Sequence, residues 1–347
     1  MINKLMELTR LDGISGDEQP IRQAIIESIK DQALQYRADS IGNLIVNAKT
    51  SGKHNFTVML SAHMDEVGFM ITGLTDDGKL KFATVGGMDP RILIGQQVRV
   101  GDKKLPGVIG YKSIHLQDKT ERESVVKLKN LYIDIGAKDR EQAENLVTPG
   151  DYAAFASEPV LFGKNRLKAK ALDDRAGCVI QMELLKEIWP FELVACFTVQ
   201  EEVGLRGARV AANRVQPDIA VILEGTTCAD VPGVKEHETS TALGKGPAIS
   251  FADRTSIGDR ELIDHFVETA EAGSIPYQWK QTVSGGNDAG RIQTSGKGVR
   301  VITVSVPCRY IHSPVSCLDT RDFENMHRLV RAALLNLPQL LKGRIEG

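Results

Sequence analysis

LVACFTVQEEVGLRG, Leu193 to Gly207, sets two adjacent glutamates where an apolar run has just ended. The run has the length and composition of a buried strand. One buried carboxylate is costly, and two of like charge repel unless a cation lies between them. A strand that finishes this way predicts a polar rim at the carboxyl end of a sheet.

Other apolar runs end in the same manner. FTVMLSA, Phe56 to Ala62, stops at His63, with Asp65 two residues on. IAVIL is followed by Glu224, and VITVSVP by Arg309 and His312. Asp173 and Asp174 open DDRAGCVIQMELLKEI, whose helical stripe is Val179, Ile180, Leu184 and Ile188. Further helical stretches are expected around 205–213 and 259–273, with a final helix near 321–342. Short apolar strands alternating with helices predict an α/β fold, a mostly parallel sheet covered by helices on both faces. In open α/β sheets the functional crevice lies beyond the carboxyl ends of the strands. Singly, each group has a bland reading: a loop histidine, a solvated glutamate pair, an N-cap aspartate. Their joint arrival at one rim points to function.

Between about Gly68 and Leu167 the texture changes. FMITGL, KLKFATV, QQVRV, GVIGYK, LYIDIGA and YAAFAS are short runs separated by Gly, Asp and Pro. They predict a small β-rich domain inserted at 68–167 into an α/β domain formed by 1–67 and 168–347. HLQDKTERESV, His115 to Val125, is polar and reads as a mobile loop. Near the start, SGDE fits a capping box with Ser15 as N-cap and Glu18 reaching back. DSIGNLIV reads as a turn entering a strand.

Composition narrows the function classes. The 347 residues carry 43 basic and 45 acidic side chains, a net charge of −2, so no polyanion partner is implied. No basic, aromatic-studded patch suggests nucleic acid. The 5 cysteines, Cys178, Cys196, Cys228, Cys308 and Cys317, are scattered and form no CxxC pair, which suits reduced thiols in the cytoplasm. The N-terminus lacks an apolar signal core, and no run is long enough to span a membrane.

Imidazoles and carboxylates without thiolates suit zinc, cobalt or manganese. Two histidines with three or more carboxylates exceed one tetrahedral site. They fit a pair of divalent metal ions bridged by a carboxylate and by water, a pair that supplies a hydroxide near neutral pH. Glu202 would bind a metal while Glu201 acts as general base. Asp65 would fix the tautomer of the His63 imidazole.

With GISGDE, DSIGN, SAHMDEVGF, ALDDRAG, QEEVGLRGA, SGGNDAG and RYIHSP in this order, the chain resembles the tetrahedral metallo-aminopeptidases end to end. That family includes glutamyl aminopeptidases and some proteins labelled endoglucanase. The resemblance implies the two-metal exopeptidase fold, with His63 and His312 as terminal ligands and Asp173 bridging through a cis bond to Asp174. Glu202 and Glu224 would complete the two ligand sets, with Glu201 as base and Asp65 as orienter. Gly285, Gly286, Asn287 and Arg309 would line the substrate cleft. Peptides with a free N-terminus are the implied substrates. The implied assembly is a cytosolic homo-oligomer, dimer to dodecamer, built with the inserted domain. The chain departs from the family pattern twice: Glu224 stands where many members carry Asp, and Asn287 where Thr is common.

A glycosidase using two carboxylates without metal is the alternative enzyme class, but it has no need of two histidines in one crevice. A non-catalytic regulatory homologue is the third reading, and it predicts a decayed ligand set. His115 could reach a neighbouring subunit's cleft but reads first as a loop histidine. His54, His237, His265 and His327 lie off the strand ends and are expected to be structural or on the surface. Lys245 and Arg254 are basic residues that could favour acidic substrate side chains.

Overall fold

In the strand Thr57–His63, Val58, Leu60 and Ala62 enter one apolar cluster while Met59 enters another. The next strand divides likewise, with Leu193, Ala195 and Phe197 on one side and Val194 and Cys196 on the other. Side chains alternate across a strand, so both faces of this sheet need a cover. Helices Ile2–Arg10, Gln19–Ile29, Leu172–Leu184, Arg260–Ala272 and Thr320–Leu340 bury one face. Arg206–Val215 and the short Ala289–Ile292 cover the other through Ala208, Ala211, Ala212 and Ile292. The molecule is described by a computed structural model for residues 1–32 and 34–341.

The 8-stranded sheet runs Gln35–Ala38, Leu44–Asn47, Glu192–Thr198, Thr57–His63, Ile219–Thr227, Arg300–Cys308, Ala248–Ser250 and Gln278–Trp279. The four strands from Glu192–Thr198 to Arg300–Cys308 are mutually parallel. Leu44–Asn47 and Ala248–Ser250 pair with this centre in antiparallel fashion. The sheet is thus mixed, parallel at its centre, flanked by antiparallel pairings and ending in a parallel pair at Gln278–Trp279, where the sequence suggests a mostly parallel one. The reason at one edge is local. Gln35–Ala38 and Leu44–Asn47 are joined by the DSIGN turn, with Gly42 at φ 108, and so short a link makes a hairpin rather than a crossover.

The six alternating runs all become strands of one closed barrel, in the order Tyr152–Phe155, Gly68–Leu74, Leu80–Val85, Tyr132–Asp134, Leu105–Gly110 and Gln97–Val100. The barrel encloses its own apolar cluster, in which Phe69 meets Phe82 and Phe155 edge-on. At the expected end of the insertion, Val160–Phe162 instead pairs with Arg166–Ala169, which pairs in turn with Ser316–Asp319. Strand pairing therefore ends the barrel at Phe155.

Two local expectations change. The polar stretch 115–125 contains a helical turn, Lys119–Glu123, closed by a capping box between Asp118 and Glu121. SGDE forms no such box: the helix starts at Gln19, and Glu18 reaches the Gly16 N–H instead. The Ser15 hydroxyl donates to Asp65, 50 positions away, and so is lost to the helix. Among the described residues no helix is long and apolar enough to cross a membrane. All five cysteines are buried free thiols.

Candidate metal centre

The parallel centre of the sheet carries the polar residues to one rim. His63 ends its strand with 1% of its surface exposed, and Glu224 projects from within Ile219–Thr227 at 4%. His63 Nε2 lies 3.3 Å from Asp173 Oδ1 and 3.7 Å from Glu224 Oε2. His312 Nε2 lies 3.6 Å from Asp173 Oδ2 and 3.2 Å from Glu202 Oε2. Asp173 thus stands between the histidines and turns one oxygen to each. The Asp173–Asp174 peptide bond is cis.

The backbone is shaped for this approach. The Gly225 N–H donates to Asp173 Oδ1 at 3.1 Å, and a Cβ on Gly225 would come within 2.7 Å of the Asp173 side chain. Ala171, Gln200, Leu205, Tyr310 and His312, all beside the rim, take the left-handed conformation that costs residues with a Cβ. His63 Nδ1 lies 3.0 Å from the Asp65 carbonyl, and His312 Nδ1 lies 2.9 Å from the Gly87 carbonyl. Only an N–H satisfies a carbonyl, so both rings keep Nε2 for the carboxylates. Gly87 follows the strand Leu80–Val85, and so the barrel helps to aim His312.

Asp65 acts on this centre by more than its imidazole contact. Its carboxylate is 3.5 Å from His63 Nδ1, farther than its own carbonyl. It accepts the Ser15 hydroxyl and the backbone N–H groups of Glu201 and Glu202. Asp174 accepts the N–H groups of His63 and Gly177.

Electrostatics shows what the cluster lacks. Burial pushes the carboxyls of Glu201, Glu224 and Asp174 well above the usual range, and their like-charged neighbours push further. Burial likewise takes Glu202 to about 7. Burial would depress the His312 imidazole, yet Asp173 and Glu202 lift it to about 9. His63 rises well above its ordinary value against the same burial, through Asp173 and Asp65. Asp173, held by both imidazoles, falls despite its burial. Without an outside cation, protons must fill this site.

Divalent cations fit the donors. His63 with Asp173 and Glu202, and His63 with Asp174 and Glu224, each offer ligand atoms within 4.8 Å of one another. Glu224 Oε1 is buried and finds no hydrogen-bond partner among the described residues. Such an acceptor is expensive to bury and suits a cation. Imidazole nitrogens and carboxylate oxygens without thiolates are the donors that zinc, cobalt and manganese share.

A cavity of about 470 Å³ opens over the rim, lined by Asp173, Glu201, Glu202, Glu224 and His312 and also by Gly285, Gly286 and Asn287. Arg309 is not among the lining residues. Its guanidinium grips Asp230 at 2.6 and 2.8 Å. Lys245 and Arg254 are absent from the lining as well, while Lys280 belongs to it. His265, off the rim, donates its Nε2–H to the Ala333 carbonyl inside the helical layer at 2.8 Å.

Sequence reasoning passed over four supporting residues. Ser15, Glu18 and Asn43 sit in quoted motifs, and each bonds a group beside the rim. Asp288, in SGGNDAG, is fully buried and accepts the hydroxyls of Ser61 and Thr198 at 2.9 and 2.6 Å. The available signal was a polar residue without a local partner inside a motif already quoted.

Comparison with known proteins gives a consistent result. The family model for M42 glutamyl aminopeptidase matches residues 42–329. A lysyl aminopeptidase of Pyrococcus furiosus is 32% identical over 333 residues, covering 94% of both chains. A glutamyl aminopeptidase of Lactococcus lactis subsp. cremoris is 31% identical over 350 residues, covering 97% of this chain and 96% of its own. The TET aminopeptidase of a marine sediment Thaumarchaeota archaeon superposes with a TM-score of 0.94 at 34% identity, covering 99% and 98% of the two chains. The TET1 peptidase of Pyrococcus horikoshii, which can assemble into a tetrahedron or a large octahedral shell, gives 0.84 at 38% identity, covering 95% and 98%.

Proposed function

The chain belongs to the M42 glutamyl aminopeptidase family and is an aminopeptidase, and on that premise we propose that it removes N-terminal residues from short peptides at a centre of two divalent metal ions. The observation that carries this reading is Asp173, with one oxygen towards His63 and the other towards His312. His63, Asp173 and Glu224 would hold one ion; His312, Asp173 and Glu202 the other. Bound there, zinc, cobalt or manganese supplies Lewis acidity, polarising a carbonyl and lowering the pKa of water.

The chain's own residues would do the rest. Glu201, which lines the cavity and forms no ion pair among the described residues, would take a proton from the attacking water and pass it to the leaving amine. Asp65 holds the backbone of both glutamates so that Glu202 and Glu201 reach different tasks. The acidic floor would attract the free α-ammonium group of a peptide.

Lys280 bears on the side chain selected. It is half-buried, it lines the cavity, and its ammonium reaches only the Ser284 carbonyl at 3.4 Å. No carboxylate among the described residues pairs with it. An acidic N-terminal side chain would supply that partner, so glutamyl and aspartyl substrates should be preferred over lysyl ones. The basic residue favouring acids is then Lys280 rather than Lys245 or Arg254. Assembly into a homo-oligomer, up to a dodecamer, belongs to the same reading. The exposed apolar strand Val160–Phe162 offers surface for it, and the reduced thiols suit the cytoplasm.

The deciding experiment assays chelated protein on aminoacyl-p-nitroanilides, with zinc, cobalt or manganese added back. Metal-restored release from free-amine substrates, and none from their N-acetylated forms, is expected. Equal hydrolysis of acetylated substrates, or activity that survives chelation, would sink the two-metal exopeptidase reading.

A further inference from the structure

Four successive backbone N–H groups beyond the end of the strand Glu192–Thr198 are each taken by a side-chain oxygen from far along the chain. Val199 donates to Asn43 Oδ1 at 3.0 Å, and Gln200 to Glu18 Oε1 at 3.1 Å. Glu201 and Glu202 donate to the two oxygens of Asp65 at 3.0 and 3.1 Å. The carbonyls are satisfied downstream: Val199 by Gly207, Gln200 by Arg206, and Glu201 by Gly204 and Leu205. GISGDE, DSIGN and SAHMDEVGF, distinct in sequence, thus meet on one turn.

Within this clamp Glu18 is the member with no other evident task. It caps no helix with its side chain, and no cation among the described residues pairs with it. It is 4% exposed, which raises its carboxyl to about 7 through burial. Its Oε1 accepts the nearby Gly16 N–H at 2.7 Å and then reaches 182 positions to Gln200. Gln200, like Leu205 further along the turn, is left-handed, with φ 55. A residue with a Cβ takes that region only when its surroundings impose it.

We infer that Glu18 is a positioning residue for Glu201: its carboxylate holds Gln200 in the left-handed turn that aims Glu201 into the cavity, while Asp65 keeps hold of the Glu202 N–H. The inference rests on the reading of Glu201 as general base. Asn43 and Asp65 hold the residues on either side, but neither reaches the Gln200 N–H. Releasing that group would let the turn relax at Gln200, where the backbone conformation is unfavourable and no other side chain holds the N–H. Glu201 would then lose its aim while the histidines and Asp173 keep theirs.

The test compares Glu18→Ala, Glu18→Gln and Glu201→Gln in the metal-loaded enzyme on an aminoacyl-p-nitroanilide. Glu18→Ala should lower kcat about ten- to a hundredfold with KM and bound metal unchanged, the mark of a misplaced group rather than lost binding. Glu18→Gln keeps the acceptor oxygen and should restore kcat. Gln200→Gly, which takes a positive φ without a Cβ penalty, should recover much of the loss in the Glu18→Ala background. Wild-type kcat in Glu18→Ala, or a Glu18→Gln as slow as Glu18→Ala, overturns the inference. If Glu18→Ala alone does not fold, the Glu18→Ala/Gln200→Gly enzyme carries the comparison, and a folded double variant as slow as Glu201→Gln overturns it. A Glu201→Gln enzyme that still turns over removes the base reading and this inference with it. A dead Glu201→Gln beside a fully active Glu18→Ala removes this inference alone.

Discussion

The carboxylates of Glu66 and Glu224 are both buried, and they meet opposite neighbours. Glu66 receives the Lys170 ammonium at 2.6 and 2.8 Å, the Arg175 guanidinium at 3.2 Å and the Gly13 N–H at 3.1 Å. Asp12 joins this network through Arg99 at 2.6 Å and Lys170 at 3.4 Å. Burial works against the Asp12 carboxylate, yet Arg99 and Lys170 bring it down to about 2. Glu224 meets one imidazole at 3.7 Å, leaves Oε1 without a partner, and is pushed well up by burial. Glu66 directly follows Asp65, and Arg175 directly follows Asp174, so the two clusters share chain segments. In the first the fold supplies the cations that neutralise the acids, although Arg175 Nε and Nη1 find no partner among the described residues. The second is open, and a buried set of acids left open is the physical signature of a site that takes its cation from solution.

The largest effect should come from Glu201→Gln, which removes a proton acceptor while leaving the cation-poor cluster otherwise intact. We expect kcat to fall about 10²- to 10⁴-fold with metal content unchanged. Loss of the metal together with the activity would instead place Glu201 among the ligands.

The Glu66 cluster should break differently. Glu66→Ala strands two buried cations and should cost about 3–5 kcal/mol of stability in denaturant unfolding. In chelated protein, Glu224→Gln should be close to neutral, since burial already favours the protonated carboxyl and the amide resembles that form. Equal destabilisation by the two substitutions would erase the contrast.

Next in size is the pH dependence of the chelated protein. Glu202 and its neighbours have folded pKa values above their unfolded ones, with Glu202 at about 7. The folded state therefore binds more protons than the unfolded state between about pH 4.5 and 7. Stability falls as pH rises through that window, by roughly 1.4 kcal/mol per unit for each such group. Adding zinc should flatten this slope. Asp12 behaves in the opposite sense: it stabilises above the usual carboxylate pKa, and that stability is lost as pH falls towards about 2. Thermal melts from pH 2 to 8, with and without metal, read both limbs, and a metal-independent slope near neutrality would count against the open cluster.

The smallest expected effect belongs to Lys280, the basic side chain at the open cluster's cavity. Lys280→Ala should lower kcat/KM for glutamyl substrates about tenfold, the worth of one partly exposed charge-assisted contact, and leave alanyl substrates unchanged. A uniform drop across both substrates would make Lys280 a structural residue.

Much of this arrangement is legible in the sequence, because it follows from short-range pattern. Apolar runs that end on His63, on Glu201 and Glu202, near Glu224 and ahead of His312 are local facts, and parallel strands bring their ends to one rim. The six alternating runs of the barrel are legible for the same reason, since period-2 burial shows in a few residues. Partner choice is not legible. SGDE has the spacing of a capping box, yet Ser15 spends its hydroxyl on Asp65 and Glu18 spends its carboxylate on Gln200. Arg309 lies three residues before His312, yet its charge is consumed by Asp230, 79 positions away.

Sequence alone determined the α/β alternation, the inserted β-rich segment and the residue types that gather at the rim, because periodicity and side-chain chemistry act within a few positions. Tertiary structure alone decided which acids are neutralised within the fold and which remain open. It also decided how the glutamate turn is clamped and which lysine faces the cavity. Those outcomes depend on which long-range partner lies within 3 Å of a buried polar group, and local spacing carries no record of that distance.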